Sequence, residues 1–239
     1  MPLQHIRAAF FDAAGTLFTV NGSVGEIYAD LARAHGKDVS PQALEANFRR
    51  AFATAPPMAF PNVEPMQLRA REKQWWKDIV QTVFSPLGSF PQFEAYFEAL
   101  FTHFARPDAW QLYPETRAAL AALQARGLYL GVISNFDSRL FRLLDGFAIS
   151  QFFDPIVIST HAGAAKPDVR IFTRALQRHS LRPTEAIHIG DSLHADITGA
   201  QAAGLMPILI DRSRTAEVSP DVCRITSLLD ILSVIAPSS

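Results

Sequence analysis

The alternation of apolar and polar positions divides the chain into three parts. Residues 6–12 form a short apolar run that ends on a carboxylate, which is typical of a buried strand. From residue 23 to about residue 104, apolar positions recur at helical spacing and no strand-like run interrupts them. Beyond residue 113, short apolar runs alternate with amphipathic segments. We therefore predict one strand, then a block of helices, and then strands that alternate with helices.

The helical block is predicted to hold about four helices. Ser23 followed three residues later by Glu26 is the pattern of a capping box, in which side chains and backbone at a helix start bond to each other. Ser40 before Pro41 indicates a second helix start, because proline suits the first helical position. Prolines then interrupt the pattern at positions 56, 57, 61 and 65. The predicted helices cover residues 23–36, 40–52, 67–84 and 91–104.

The last part of the chain predicts a parallel sheet covered by helices on both faces. Four apolar runs indicate strands at residues 128–134, 155–159, 186–191 and 206–211. Helical patterns surround them at residues 114–127, 138–144, 167–180 and 192–204. We predict an α/β fold with a doubly wound, Rossmann-like parallel sheet and an inserted α-helical cap. The core would comprise residues 1–19 and 107–239, and the cap residues 20–106.

Composition narrows the class of protein and of partner. The chain has 239 residues, 49% of them hydrophobic, which suffices for a domain with an insertion. A formal net charge of −1 argues against nucleic acid or an anionic membrane as partner, so we expect a small anionic metabolite. The chain has one cysteine, no membrane-length apolar run and no signal-peptide pattern at its start. We expect a soluble cytoplasmic protein, and the sequence leaves its oligomeric state open.

Polar residues stand at the ends of several predicted strands, where the active crevice of such a sheet lies. Asp12 ends the first strand and has three possible roles there: nucleophile, metal ligand or helix cap. Small residues follow it, which leaves room for an anion near backbone N–H groups. Thr16 would hydrogen-bond to the Asp12 carboxylate and orient it. On this stretch alone, an ordinary polar strand end that enters a turn is the favoured interpretation.

Three further strand ends carry groups that suit an anionic substrate. Ser134 and Asn135 end the second strand and offer a hydroxyl and an amide, although Ser-Asn is also a common helix start. Lys166 lies just before a helix and would neutralise carboxylates and an incoming anion, unless it is merely solvated. Asp191 and Asp196 are spaced to reach one Mg²⁺, or to serve as helix cap and first-turn acid.

Taken together, four motifs resemble those of the haloacid dehalogenase superfamily of hydrolases. They are DAAGTL at 12–17, SN at 134–135, KPD at 166–168 and GDSLHAD at 190–196, and the resemblance covers nearly the whole chain. The helical insertion resembles the cap of the haloacid-dehalogenase-like branch. The stretches FFDAAGTLF, WW at 75–76 and SNFDSRL at 134–140 also resemble a little-characterised subgroup of that branch.

The resemblance implies a role for each of these residues. Asp12 would be the nucleophile and Lys166 its partner, and Ser134, Asn135 and Thr16 would contact the substrate. Mg²⁺ would be held by Asp12, the backbone carbonyl of Ala14, Asp191 and Asp196. The family's phosphatases form an aspartyl-phosphate that water hydrolyses.

Ala14 departs from the family's phosphatase pattern. Those enzymes usually place a second Asp two residues after the nucleophile, where it protonates the leaving group and then activates water. Such acid–base help is worth ~10²–10⁴-fold, so an ester with a poor leaving group should be a poor substrate. His161, His194 or a cap residue would have to substitute, although ordinary surface or hydrogen-bonded histidines are the preferred interpretation.

Two branches of the family manage without the second acid. Haloacid dehalogenases release halide, which needs no proton, and phosphonoacetaldehyde hydrolases have alanine there and use a cap lysine. The metal-free dehalogenases lack an acidic pair like Asp191 and Asp196. The cap offers three lysines, Lys37, Lys73 and Lys77. We interpret Lys73 and Lys77 as part of a charged helical face, so we do not expect a cap lysine with the lowered pKa that a Schiff base needs.

Three hypotheses follow. The first is a Mg²⁺-dependent phosphatase that uses Asp12, and the second is a 2-haloacid dehalogenase that uses Asp12 on carbon. The third is a weakly catalytic protein that binds a metabolite or a protein. The cap aromatic residues are expected to form the cap's interior rather than a substrate cage: Phe48, Phe52, Trp75, Trp76, Phe97, Phe101 and Phe104.

Overall fold

A computed structural model describes residues 5–217, 219 and 222–235. Its main sheet has six parallel strands in the order β5-β4-β1-β6-β7-β8. The strands, numbered along the chain, are β1 (Ala8–Phe11), β4 (Tyr129–Ser134), β5 (Ile156–Ile158), β6 (Ala186–Gly190), β7 (Met206–Ile210) and β8 (Cys223–Ile225). Between β1 and β4 the chain forms two further strands, β2 (Phe18–Val20) and β3 (Trp110–Leu112). The α/β class and the parallel sheet predicted from the sequence are confirmed.

The register of the sheet brings the predicted strand ends together. Strand β1 is central, and its last residue, Phe11, pairs with Val132 of β4 and with Ile189 of β6. Every residue of β1 is fully buried, because successive side chains point to opposite covered faces. The residues that follow β1, β4 and β6 therefore lie at one edge of the sheet.

Two short strands outside the main sheet connect it to the helical insertion. Strand β2 pairs antiparallel with β3, with Val20 opposite Trp110. The predicted boundary between core and cap at residues 19 and 20 therefore falls inside β2. Neither of these strands was predicted, and neither was β8. Each has only three residues, too few to show a period in the sequence.

Four helices lie between β2 and β3, as predicted: α1 (Val24–Ala34), α2 (Pro41–Ala53), α3 (Pro65–Phe84) and α4 (Phe93–His103). The capping box at α1 is present, because the Ser23 hydroxyl accepts from the Glu26 N–H and the Glu26 carboxylate accepts from the Ser23 N–H. Pro41 opens α2 after Ser40. Among the described helices, none has both the length and the apolar character needed to cross a bilayer.

The remaining helices cover the main sheet. They are α5 (Thr116–Ala125), α6 (Arg139–Gly146), α7 (Ser159–Ala162), α8 (Val169–Gln177), α9 (Gly199–Ala202) and α10 (Ile231–Val234). The helix predicted over 192–204 begins as a π-helical segment, Leu193–Thr198, which α9 continues. One hydrophobic cluster includes Phe11, another includes Phe10, and a third, around Tyr96, fills the space among α1–α4.

Candidate active site

Three charged side chains meet at the edge of the sheet. Asp12 follows β1, Lys166 precedes α8, and Asp196 lies in the π-helical segment after β6. Lys166 Nζ donates to Asp12 Oδ1 at 2.7 Å and to Asp196 Oδ1 at 2.6 Å. All three residues are buried. The sequence predicted these groups from separate strand ends, and the structure places them in direct contact.

Asp191 joins this group from the solvent side. Carboxylate oxygens of Asp12, Asp191 and Asp196 all lie within 4.8 Å of one another. Glycines make the close approach possible: a Cβ on Gly15, whose φ is +87°, would overlap Asp191, and a Cβ on Gly190 would overlap Asp196. The small residues of the two loops therefore let the carboxylates converge.

Burial and neighbouring charges shift the pKa values of all three aspartates. Burial and the nearby aspartates raise the pKa of Asp191 to about 7. Burial raises the pKa of Asp12 above its ordinary value, although the ammonium of Lys166 opposes the shift. Burial would also raise the pKa of Asp196, but Lys166 and the hydrogen bond from His188 hold it well below its usual range.

The donor set fits a divalent cation. Lys166 offsets one of the three carboxylates, which leaves two uncompensated negative charges in a cluster of oxygen atoms. Mg²⁺ prefers oxygen ligands and binds through one or two carboxylates while it keeps several waters. Such an ion would favour the ionised forms of Asp12 and Asp191, whose pKa values are raised in its absence. The predicted contribution of the Ala14 carbonyl stays a prediction.

His188 is part of this site and was not predicted. It lies within β6, is fully buried, and its Nε2 is 2.8 Å from Asp196 Oδ1. Burial lowers its pKa, so the imidazole is neutral and donates through Nε2 to the carboxylate. The backbone N–H of Ser192 donates to the other oxygen of Asp196 at 3.0 Å. These two contacts fix the orientation of the Asp196 carboxylate.

Asn135 makes a contact that was not expected. Its side-chain amide bonds to the backbone of Lys166: Nδ2 donates to the Lys166 carbonyl at 2.9 Å, and Oδ1 accepts from the Lys166 N–H at 2.7 Å. The expected contact of Asn135 with a substrate stays a prediction. This amide therefore positions the lysine, and its Oδ1 and one of its N–H groups are already used. Ser134 lies beside it, buried at the end of β4.

Thr16 is also placed differently from the expectation. Its buried hydroxyl has no hydrogen-bond partner among the described residues, so the expected bond to Asp12 is absent. A buried unpaired hydroxyl is costly, and a bound ligand that accepts from it would remove that cost. The loop around Thr16 is held by Arg212, whose Nη2 donates to the Thr16 carbonyl at 2.9 Å.

The histidines considered as substitutes for the missing acid, and the lysines considered for a Schiff base, are exposed or bonded to other groups. His161 lies 3.0 Å from the Ser138 hydroxyl, and His194 is exposed. Lys73 and Lys77 pair with the carboxylates of α4, as expected for a charged helical face. Lys37 donates to two backbone carbonyls. The structure brings none of these five residues into hydrogen-bond contact with Asp12 or Lys166.

Buried polar contacts tie helix α3 to the core, and we call them the α3 tie: Glu72, Trp76, Asp137, Ser138 and Thr160. Oε1 of Glu72 accepts from the Ser138 N–H, the Ser138 hydroxyl and the Thr160 hydroxyl at 3.1, 2.8 and 2.6 Å. Trp76 Nε1 donates to Asp137 Oδ2 at 2.6 Å. The WW and SNFDSRL stretches of the sequence therefore meet in this tie.

An apolar cavity of about 230 Å³ lies between the inserted helices and the loops after β1 and β4. Ala14 and Asn135 line its core side. Most of the other lining side chains are aromatic, among them Phe48, Trp76, Phe97, Phe101 and Phe104. Trp75 packs in the interior of the helices, as expected, but these five aromatic residues also border open space. These five residues therefore belong to the interior of the helices, as expected, and they also form part of the cavity wall, as does Phe52.

Comparison with known proteins identifies relatives of this chain. A family model described as haloacid dehalogenase-like hydrolase matches residues 6–204. The mouse (Mus musculus) haloacid dehalogenase-like hydrolase domain-containing protein 3 is 34% identical over 248 aligned residues, which cover 98% of both chains. Phosphoserine phosphatase from Thermus thermophilus is 37% identical over 117 residues, 47% of each chain.

A solved structure has the same fold. The crystal structure of a dehalogenase superposes with a TM-score of 0.73 over 98% of this chain and 99% of the other, at 20% sequence identity. Phosphatases and dehalogenases are thus both similar to this chain. The family model matches most of the chain, and the mouse protein is similar over nearly all of it. The four strand-end motifs are also present. The chain therefore belongs to the haloacid dehalogenase-like hydrolases.

Proposed function

We propose that this hydrolase is a Mg²⁺-dependent phosphatase that acts on a small anionic phosphate ester and uses Asp12 as its nucleophile. The observation that carries the proposal is the cluster of three converging carboxylates around one buried lysine. A site for a trianionic transition state needs compensating positive charge, which Lys166 and a divalent cation together would supply. Asp12, Asp191 and Asp196 would hold the ion.

The first chemical step is transfer of the phosphoryl group to the protein. A carboxylate oxygen of Asp12 attacks phosphorus, and the bond between phosphorus and the ester oxygen breaks. The leaving group departs with that electron pair. We expect the ammonium of Lys166, which is hydrogen-bonded to Asp12, to donate to phosphoryl oxygens. We expect the same of the buried Thr16 hydroxyl, which has no partner among the described residues. Mg²⁺, when bound, would neutralise the phosphoryl oxygens as a Lewis acid.

The second step returns Asp12 to its starting state. Water attacks phosphorus of the aspartyl-phosphate, the bond between phosphorus and the Asp12 oxygen breaks, and inorganic phosphate and a proton are released. Ala14 cannot accept that proton, so this step proceeds without the usual carboxylate base. We therefore expect slow turnover, lower by ~10²–10⁴-fold than in a site with an acid–base residue.

Hydrolysis of p-nitrophenyl phosphate tests the proposal, because p-nitrophenolate leaves without protonation. We expect release of p-nitrophenol with Mg²⁺ and none with EDTA. Asp12→Asn should lose activity by as much as ~10⁶-fold, the scale of removing a nucleophile. The matched control is Asp108→Asn, an exposed carboxylate paired with Arg106, which should retain activity. Release that survives either EDTA or Asp12→Asn would contradict the proposal.

A 2-haloacid dehalogenase is the second candidate, because Ala14 and the apolar cavity suit a carbon substrate whose halide leaves without a proton. In that reaction Asp12 would attack carbon, halide would leave, and water would hydrolyse the ester. The carboxylate cluster favours the phosphatase, since a dehalogenase has no use for two uncompensated negative charges. Halide release from 2-chloropropionate in EDTA would reverse this preference. A protein that binds Mg²⁺ but turns over neither substrate would fit a binding role.

A further inference from the structure

We propose that the apolar cavity binds the leaving group of the substrate and that this group is a single aromatic ring, so that the substrate class is aryl phosphate monoesters. This inference rests on the phosphatase function proposed above. The cavity extends from the aromatic side chains of the inserted helices to Ala14, two residues after the nucleophile. An ester whose phosphate lies at Lys166 can therefore extend its organic part towards α1–α4.

The chemistry of the cavity lining selects an apolar group. None of the described residues that line it is a carboxylic acid, a histidine or a lysine. Arg139, its one cation, already pairs with Asp137 at 2.7 Å and lies over the Phe101 ring at 4.2 Å. A sugar or amino-acid group would lose its water there and find few hydrogen-bond partners, chiefly Tyr28 and Asn135, whereas an aromatic ring would gain contacts with other rings.

The size of the cavity fits one ring. It measures about 230 Å³. An apolar cavity of about 150 Å³ suffices to bind benzene in an engineered protein. The space beside Ala14 therefore takes a benzene ring with a small substituent.

The reactivity of the site leads to the same class. Ala14 offers no proton to the departing oxygen. Tyr28, the one phenol among the described lining residues, is a weak acid because burial raises its pKa. A leaving group must therefore depart as an anion. A phenol has a pKa of about 10, far below the value of about 16 for water, which an alkyl alcohol resembles. Aryl phosphates thus supply a leaving group that needs no acid.

Substitutions that fill the cavity test the inference. Val20 in β2 and Val24 at the start of α1 both line it and are half-buried, so Val20→Phe and Val24→Phe each place a ring inside. The measured quantity is kcat/KM for 4-methylphenyl phosphate divided by kcat/KM for acetyl phosphate, whose acetate needs no apolar site. We expect each substitution to lower this ratio at least ~10-fold. Val63→Phe, outside the cavity, is the matched control and should keep the wild-type ratio.

A binding measurement separates this inference from the proposed function. Calorimetric titration with 4-methylphenol, which carries no phosphate, should detect binding to the wild type and to Val63→Phe but not to the two filled variants. Circular dichroism and thermal unfolding identify a variant that fails to fold, and the other filled variant then decides. Because Val20 and Val24 lie in different elements, a loss of binding in both folded variants indicates a blocked cavity and not a folding defect.

Each outcome has a definite meaning. If acetyl phosphate is hydrolysed in a Mg²⁺- and Asp12-dependent way but the ratio is unchanged in the filled variants, the aryl assignment is wrong and the phosphatase stands. If 4-methylphenol binds in the cavity but neither ester is hydrolysed, the phosphatase proposal is wrong and the aromatic site stands. If 4-methylphenol does not bind to the wild type, the aromatic site is refuted.

Discussion

Removal of the Glu72 carboxylate is expected to release helix α3 from the core. Glu72 is buried, and one of its oxygens accepts three hydrogen bonds, from the N–H and hydroxyl of Ser138 and from the hydroxyl of Thr160. A hydrogen bond to a charged group contributes ~1.5–3 kcal/mol. The three bonds share one acceptor, and Ser138 is half-exposed to water, so their sum overstates the effect. We expect Glu72→Ala to weaken the α3 tie by about 2–4 kcal/mol.

Amide hydrogen exchange measures this effect directly, because the Ser138 N–H is one of the three donors. A loss of 2–4 kcal/mol corresponds to exchange faster by about 30- to 1,000-fold. Glu72→Gln keeps an acceptor oxygen without the charge and should lose only about 1 kcal/mol. The matched control is Glu45→Ala, because Glu45 accepts from the Gly25 N–H and pairs with Arg49, both within the inserted helices.

The reasoning would be refuted by a specific pattern of exchange. Equal protection of the Ser138 amide in Glu72→Ala and Glu45→Ala would mean that the carboxylate does not hold α3 to the core. Faster exchange of every amide in Glu72→Ala, without any excess at residues 134–140, would mean that the substitution lowers global stability and not the α3 tie.

Three further predictions concern the site and its surroundings. Gly15→Ala places a Cβ against Asp191 at a backbone φ of +87°, so the affinity for Mg²⁺ should fall ~10–100-fold. Calorimetric titration measures this, and an unchanged Kd would contradict the packing argument. Lys166→Met leaves two buried carboxylates without their cation, so the free energy of unfolding measured in EDTA should fall by about 3–5 kcal/mol, and Mg²⁺ should partly restore it. Equal stability of variant and wild type in EDTA would count against the ion pairs. Burial and a nearby arginine lower the pKa of His103 below 6.5, so the unfolded chain binds a proton there first and the free energy of unfolding falls as the pH drops below 6.5. In urea titrations, His103→Asn should lose less stability between pH 7 and pH 5.5 than the wild type, and equal losses would oppose this assignment.

The strands of the central sheet were predictable because burial on both faces imposes continuous apolar runs. The apolar runs of β1 and β6 end directly before Asp12 and Asp191, so the order of these two strands and the polar residues at their ends were visible in the sequence. Strands β2, β3 and β8 were not, because each has only three residues, too few to show a period. The π-helical start of the segment around Asp196 also has no periodic signal.

The charged residues of the site were easier to predict from the sequence than the residues that orient them. Lys166 was found because charged residues stand out at strand ends. His188 was missed because a histidine inside an apolar strand resembles an ordinary core position. The bond of the Asn135 amide to the backbone of Lys166 was not predicted, since nothing in the sequence shows a contact between residues thirty-one positions apart. The α3 tie joins segments whose contact no local pattern reports.

The pairing of β2 with β3 has a consequence for how the chain can change. Val20 and Trp110 lie side by side in an antiparallel pair, which is the geometry that a two-residue turn closes into a β-hairpin. Topologically, everything from Asn21 to Ala109 is the loop of one hairpin. That loop can be exchanged for the corresponding segment of a relative without altering the strand order of the six-stranded sheet. Such grafting replaces most of the cavity wall while Asp12 and Lys166 keep their scaffold, so specificity and chemistry are free to evolve on separate parts of the same chain.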